Sequence, residues 1–158
     1  MKRLYAFLIS VFLLTSTACA NGSRGIKSSD KGELSDMKIS IQITSDNGKS
    51  ELTATLVDNS SATAFYELLK KGPLTVDMHD YGNFEKVGSL GTSLPRSDSQ
   101  TATEAGDIML YQGNQITIFY NNNSWSYTRL GKVDGVTQAE LKKILGKGDV
   151  TAVFSVME

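Results

Sequence analysis

From Met37 onward the chain is built of short stretches whose apolar residues recur at every second position. Met37, Ile39, Ile41 and Ile43 alternate with Lys38, Ser40, Gln42 and Thr44. Successive side chains of an extended strand point to opposite faces, so this spacing predicts a strand with one buried and one wet face. Leu52, Ala54 and Leu56 repeat the pattern after Asp46-Asn47-Gly48, where Asn and Gly accept the positive φ of a hairpin turn at little cost. Leu74, Val76 and Met78 give a third strand, and a short fourth is expected around Phe84–Val87. Ile108 and Leu110, then Ile116, Ile118 and Tyr120, flank a turn at Gly113-Asn114. Trp125 to Val133 follows the polar Asn121-Asn122-Asn123, and Val150, Ala152, Phe154 and Val156 close the series. So many short strands and turns, with no internal repeat, predict a barrel or a sandwich.

Two segments switch to the helical period. Ala62, Phe65, Leu68 and Leu69 share one helix face between a cap at Asn59 or Ser60 and a stop at Gly72-Pro73. Thr137-Gln138-Ala139-Glu140 is a capping box, in which the Thr hydroxyl takes a helix N–H while the Glu reaches back. Leu141, Ile144 and Leu145 supply the apolar face of that second helix, and Gly146 ends it. Roughly eight strands and two helices fit a mainly β, closed barrel with helices covering its open ends, which also removes exposed strand edges. Between the fourth and fifth strands, Ser89 to Ala105 reads as a long polar loop punctuated by Pro95. Loops of that length in compact domains are commonly functional or mobile.

The N-terminus is a different kind of sequence. Lys2 and Arg3 precede an apolar run from Leu4 to Leu14, and small residues follow through Ala20. This is the layout of a secretory signal, so residues 1–20 are expected to leave the mature chain. The apolar run is shorter than the ~20 residues that a membrane-spanning helix needs. Ala18-Cys19-Ala20 fits cleavage before Asn21. Ser16-Thr17-Ala18-Cys19 resembles a lipoprotein signal cut before a cysteine that becomes lipidated, although Leu is usual where Ser16 stands. We favour lipidation at Cys19, because the one cysteine of the chain falls right at the end of the apolar run. Asn21 to Asp36, rich in Gly, Ser, Lys and Asp, then reads as a flexible tether. The folded domain is expected over residues 37–158, outside the cytoplasm and held to a membrane only through that lipid.

Charge and residue counts exclude several functions. Removing the signal takes away two positive charges and no negative ones, which moves the net charge from −1 to −3. Nucleic-acid binders need a basic face to neutralise phosphates, so no nucleic-acid role is expected. With one cysteine and one histidine, His79, neither an internal disulfide nor a multi-His or Cys zinc site can form. Asp77, Asp80 and Glu85 are close in sequence but lack the spacing of a calcium loop. There is no Gly-x-Ser-x-Gly elbow and no phosphate-binding glycine motif, and no cofactor is implied.

Several motifs are nonetheless familiar. Ala105-Gly106-Asp107-Ile108-Met109-Leu110-Tyr111, Ile118-Phe119-Tyr120 and Ser126-Tyr127-Thr128-Arg129-Leu130-Gly131-Lys132-Val133 resemble the bacterial cyclophilin-like domain family. So does Val57-Asp58-Asn59-Ser60-Ser61-Ala62, and the likeness spans about Met37 to Glu158. The resemblance implies a closed eight-stranded barrel with a helix at each end. True cyclophilins are peptidyl-prolyl isomerases that aim an Arg at the prolyl amide and stabilise its twisted form. This chain lacks their Phe-x-x-Pro and Gln-Gly-Gly-Asp-Phe segments, so no isomerase Arg is assigned to any position.

Candidate site residues remain. Tyr127 and Arg129 fall on one face of an alternating strand, where the Arg can bind a carboxylate or lie over an aromatic ring. Trp125 and Tyr120 flank the Asn-rich connection, and a Trp there is either a ligand platform or a residue packed against a helix. His79 shares a face with Asp77 and Thr75, which fits either a general base or a solvated strand surface. Glu85 follows the turn Gly82-Asn83-Phe84 and either lines a cleft or faces water. No catalytic residue is assigned. The expectation is a non-catalytic module that binds a peptide or small molecule, with Arg129, Tyr127, Trp125, Tyr120, His79 and Glu85 as candidate contacts. The alternatives are a divergent prolyl isomerase and a surface lipoprotein that only contacts partner proteins.

Overall fold

The computed structural model describes residues 37–157. The expected signal, the lipidation site at Cys19 and the tether lie outside the described residues. Within them the chain forms β1 (Lys38–Ser45), β2 (Gly48–Leu56), α1 (Ser60–Leu69), β3 (Leu74–Tyr81), β4 (Glu85–Ser89) and β5 (Ser99–Thr103). Then come β6 (Asp107–Tyr111), β7 (Gln115–Phe119), β8 (Asn123–Val133), α2 (Gln138–Leu145) and β9 (Val150–Val156).

Eight of the strands close into one antiparallel ring in the order β2-β1-β9-β3-β4-β7-β6-β8, and pairing of β2 with β8 completes it. The alternation read from the sequence decides which side chains enter the ring. Ile39, Ile41 and Ile43 of β1, Val76 and Met78 of β3, Ile108 and Leu110 of β6, and Ala152 and Phe154 of β9 are all buried in one core. Close packing of apolar side chains, removed from water, is the main stabilising term.

The helices sit at opposite ends. Asn59 caps α1, its side chain accepting from the Ala62 N–H while its amide donates to the Arg129 carbonyl at 2.8 Å, which ties the helix start to β8. Phe65 of α1 is fully buried and meets Phe154 edge to face, with ring centroids 5.8 Å apart. The capping box of α2 is present as expected. That helix is held beside the β1–β2 turn, where Ser45 donates to the Ile144 carbonyl and Asn47 to that of Lys143.

Two features differ from the sequence reading. Ser89 to Ala105 is not one loop, because its second half is β5, a ninth strand that pairs only with β8. Ser99-Gln100-Thr101-Ala102-Thr103 carries no large apolar residue, so nothing in it alternates. The remainder of the segment is pinned: Leu94 donates to the Gly113 carbonyl, Ser61 to that of Pro95, and Thr128 to Asp98. The second difference is Lys86, whose side chain is fully buried. Its ammonium donates to Asp80 at 2.8 Å and to the Gly148 carbonyl at 2.6 Å, and it lies 5.5 Å from the centre of the Tyr120 ring.

Candidate functional site

The outer face of the ring carries a second, smaller apolar cluster of Met109, Phe119 and Tyr127, with Phe84 and Tyr111 packed against it. Strand register explains how it assembles. Glu85 of β4 stands between Tyr81 of β3 and Phe119 of β7. One row along, Val87 stands between His79 and Thr117. These residues share a face because strand neighbours in register project to the same side.

The β3–β4 turn shapes one wall. Gly82 and Asn83 both take φ of 59°, as the tight hairpin turn between Tyr81 and Phe84 requires. Gly82 has a second reason to be glycine: a Cβ there would lie 2.2 Å from the Phe84 ring. That ring stacks on Phe119 at 6.2 Å and meets Tyr81 edge to face at 5.7 Å. Phe119 continues to Tyr127 at 5.3 Å, and Tyr127 to Tyr111 at 5.9 Å. The result is a continuous aromatic chain that runs from β3 through the β3–β4 turn to β7, β8 and β6.

Beside this chain lies a cleft of about 620 Å³. His79, Tyr81, Phe84, Glu85, Val87, Tyr111, Trp125 and Tyr127 are among its lining residues. Trp125 and Tyr81 are each 58% exposed, an unusual state for large aromatics that no neighbour covers. Glu85 is the opposite case, only 5% exposed, and its Oε2 is buried with no hydrogen-bond partner among the described residues. Burial pushes the Glu85 carboxyl up to about 7, since a dry surround disfavours the charged form. The Tyr127 hydroxyl is pushed up to about 12 by burial first and by Glu85 second, although the Asn123 amide that donates to it at 3.0 Å works the other way.

The cleft therefore gathers four of the six residues singled out in the sequence: His79, Glu85, Trp125 and Tyr127. Arg129 and Tyr120 do not line it. Arg129 does share the outer face with Tyr127, but its guanidinium donates to Asp107 at 2.7 and 3.3 Å, on the strand opposite. Asp107 is nearly buried, with its side chain 3% exposed, so the Arg supplies its counter-charge. Tyr120 continues the alternation of Ile116 and Ile118 and so turns inward, where its hydroxyl donates to Asp80 at 2.6 Å. Burial alone would raise the Asp80 carboxyl, but the hydrogen bonds from Lys86 and Tyr120 outweigh it and hold it below the usual range. The Ser89–Ala105 segment, whose length suggested a functional or mobile loop, contributes no lining residue.

Tyr81, Phe84 and Tyr111 were not legible as site residues, since each becomes one only through pairing with other strands. Asp77, Asp80 and Glu85 part company: Asp77 accepts from Thr151, Asp80 from Lys86 and Tyr120, and Glu85 faces the cleft. Among the described residues no three of His, Cys, Asp and Glu are gathered so as to hold a metal ion. Among the described residues no Lys or Arg lines the cleft.

A closed antiparallel ring capped by two helices, with an aromatic cleft on its outer face, is a small β domain of the kind read from the sequence. Residues 44–155 match the model of the cyclophilin-like family, and the chain belongs to that family. The solution structure of a hypothetical protein from Archaeoglobus fulgidus is similar, with a TM-score of 0.52 and 15% identity over 77% of this chain and 97% of that one. At that identity the likeness concerns the fold alone. No curated protein matches the chain.

Proposed function

We propose that this protein is an extracytoplasmic binding module that holds a small molecule or a short peptide segment in the outer cleft. The observation that carries this reading is the contrast within one cleft: a buried, unpartnered Glu85 oxygen at its floor and two exposed aromatics, Tyr81 and Trp125, at its rim. Each is costly in isolation, because water does not reach the first and must order around the second. A ligand resolves both at once. A cleft of about 620 Å³, mostly apolar with a few polar groups, has the size and make-up of small-molecule sites. The signal-like N-terminus supports export, and Cys19 supports a lipid anchor.

A fragment library read by thermal shift tests the proposal. Stabilising fragments are expected, and Trp125→Ala and Tyr111→Ala are expected to weaken their effect. Arg129→Ala is expected to respond like the wild-type protein after correction for its own stability. The reading is wrong if no fragment stabilises the protein, or if both cleft variants respond as the wild type does.

A further inference from the structure

We infer that the cleft selects an organic ammonium group carried on an apolar body, with Glu85 as its counter-ion. The inference rests on the cleft being a ligand site, as proposed above. It starts from the charges available. Among the described residues that line it, Glu85 is the sole carboxylate, and none is Lys or Arg. An anionic ligand would meet no fixed positive charge and would be repelled by Glu85 once that carboxyl ionises. A neutral apolar ligand would seal Glu85 further from water and leave Oε2 without a partner, at the cost of an unmade hydrogen bond. A cationic N–H group removes that penalty.

Among the described residues no neighbour already supplies the cation. Lys86 follows Glu85 directly, but as the next residue of a strand it projects to the opposite face. There its ammonium is committed to Asp80 and to the Gly148 carbonyl. Arg129 is committed to Asp107. Tyr81 of β3 and Phe119 of β7 stand in register with Glu85; His79 of β3, Tyr111 of β6, and Trp125 and Tyr127 of β8 share the cleft lining with it, and Tyr120 beyond β7 also feels its charge. Most of these are aromatic, and aromatic faces attract cations through their quadrupole. A metal ion fits less well, because no second carboxylate stands beside Glu85 in the lining.

Cation binding must also move a proton. At neutral pH a good part of Glu85 is protonated, since burial has raised it to about 7. An ammonium ion binds the ionised carboxylate, so the proton leaves to solvent as the ligand enters. Affinity then rises with pH, by up to about tenfold per unit below 7, and levels off above it.

The chain has a single tryptophan, and it stands on the rim of the cleft, so Trp125 fluorescence reports binding directly. The probes are phenethylammonium, its neutral isostere 2-phenylethanol, and 3-phenylpropionate, titrated into the full chain from pH 5 to pH 8. At pH 8 phenethylammonium is expected to bind at least about tenfold more tightly than 2-phenylethanol, and 3-phenylpropionate more weakly than either. Glu85→Gln should erase the preference and the pH slope while leaving 2-phenylethanol unchanged. Adding N-acetyl-lysine methylamide separates the two origins of such a group. Tighter binding than phenethylammonium points to a peptide-borne lysine, and weaker binding to a free amine. If the phenyl probes bind equally, or Glu85→Gln keeps the preference, the cation inference is overturned while the cleft stands as a ligand site. If neither these probes nor the fragment library binds, both readings fall.

Discussion

Replacing Glu85 by Gln is expected to make the protein more stable, by an amount that grows as the pH rises from about 4.5 to about 7 and then levels off. Burial holds the folded-state carboxyl at about 7, against 4.5 for an exposed glutamate. A gap of that size, at about 1.36 kcal/mol per unit, corresponds to about 3 kcal/mol. The sign follows from which state binds the proton more tightly. The folded pKa is the higher one, so the contribution of the protonated carboxyl is complete below 4.5 and is lost as the pH rises through about 7. Beyond that the native state carries a buried carboxylate whose Oε2 has no partner among the described residues. Gln keeps the shape and cannot ionise. Wild type and Glu85→Gln should therefore have matching stability at pH 4 and differ by about 3 kcal/mol at pH 8, a gap of about 10 °C in Tm for a domain of this size. Urea denaturation at half-unit steps of pH reads the divergence directly, and the m-value should not change. A constant offset across the range, or a variant less stable than wild type at pH 8, would show that the ionised carboxylate is compensated and would overturn the account of the cleft floor.

Other expectations concern the frame around the site. Arg129→Ala strips the near-buried Asp107 of its main counter-charge and should cost about 2–3 kcal/mol, somewhat below a fully buried pair because Arg129 stays partly exposed; equilibrium unfolding measures it, and a loss under 0.5 kcal/mol would make the pair ornamental. Gly88→Ala places a Cβ 2.5 Å from the Asp77 carbonyl oxygen and from Val76 Cγ1, so β3 and β4 must separate; a loss of about 1–3 kcal/mol in urea unfolding is expected, and an unchanged midpoint would contradict the close approach. Mass spectrometry of the mature N-terminus should find lipidated Cys19; an unmodified chain beginning at Asn21 would mean a free domain.

How much of this could be read from the residues depends on whether a property is local. The inward faces of β1, β3 and β9 and the capping box at Thr137 were legible because each is written in consecutive residues. Lys86 inside the ring was not, since its burial depends on Asp80 across β3 and on Gly148, 62 residues further on. Arg129 and Tyr127 were correctly placed on one face, yet the partner that holds the Arg lies on another strand, and no pattern within β8 names it. Tyr120 is instructive in the other direction. Its phase with Ile116 and Ile118 already pointed it into the core, and naming it a candidate ligand contact overlooked that signal. The cleft itself was half legible: the residue types were marked, while Tyr81, Phe84 and Tyr111 joined only through the register of neighbouring strands.

The position of β9 has a consequence for how the molecule comes to fold. It is the last strand of the fold, yet it lies between β1 and β3. Ile39 pairs with Val156, and ring closure pairs Ala54 with Val133. The hairpins β3–β4 and β6–β7 are local and can form early. The β1–β2 ribbon can join the sheet only through β9 or through the closing β2–β8 pairing, and pairing so distant must offset its loop-closure entropy before it stabilises anything. Assembly should accordingly be slow and cooperative, on the milliseconds-to-seconds scale of β proteins dominated by non-local contacts. For a chain proposed to be threaded across a membrane before it folds, that ordering keeps the N-terminal ribbon uncommitted until the rest has followed it through.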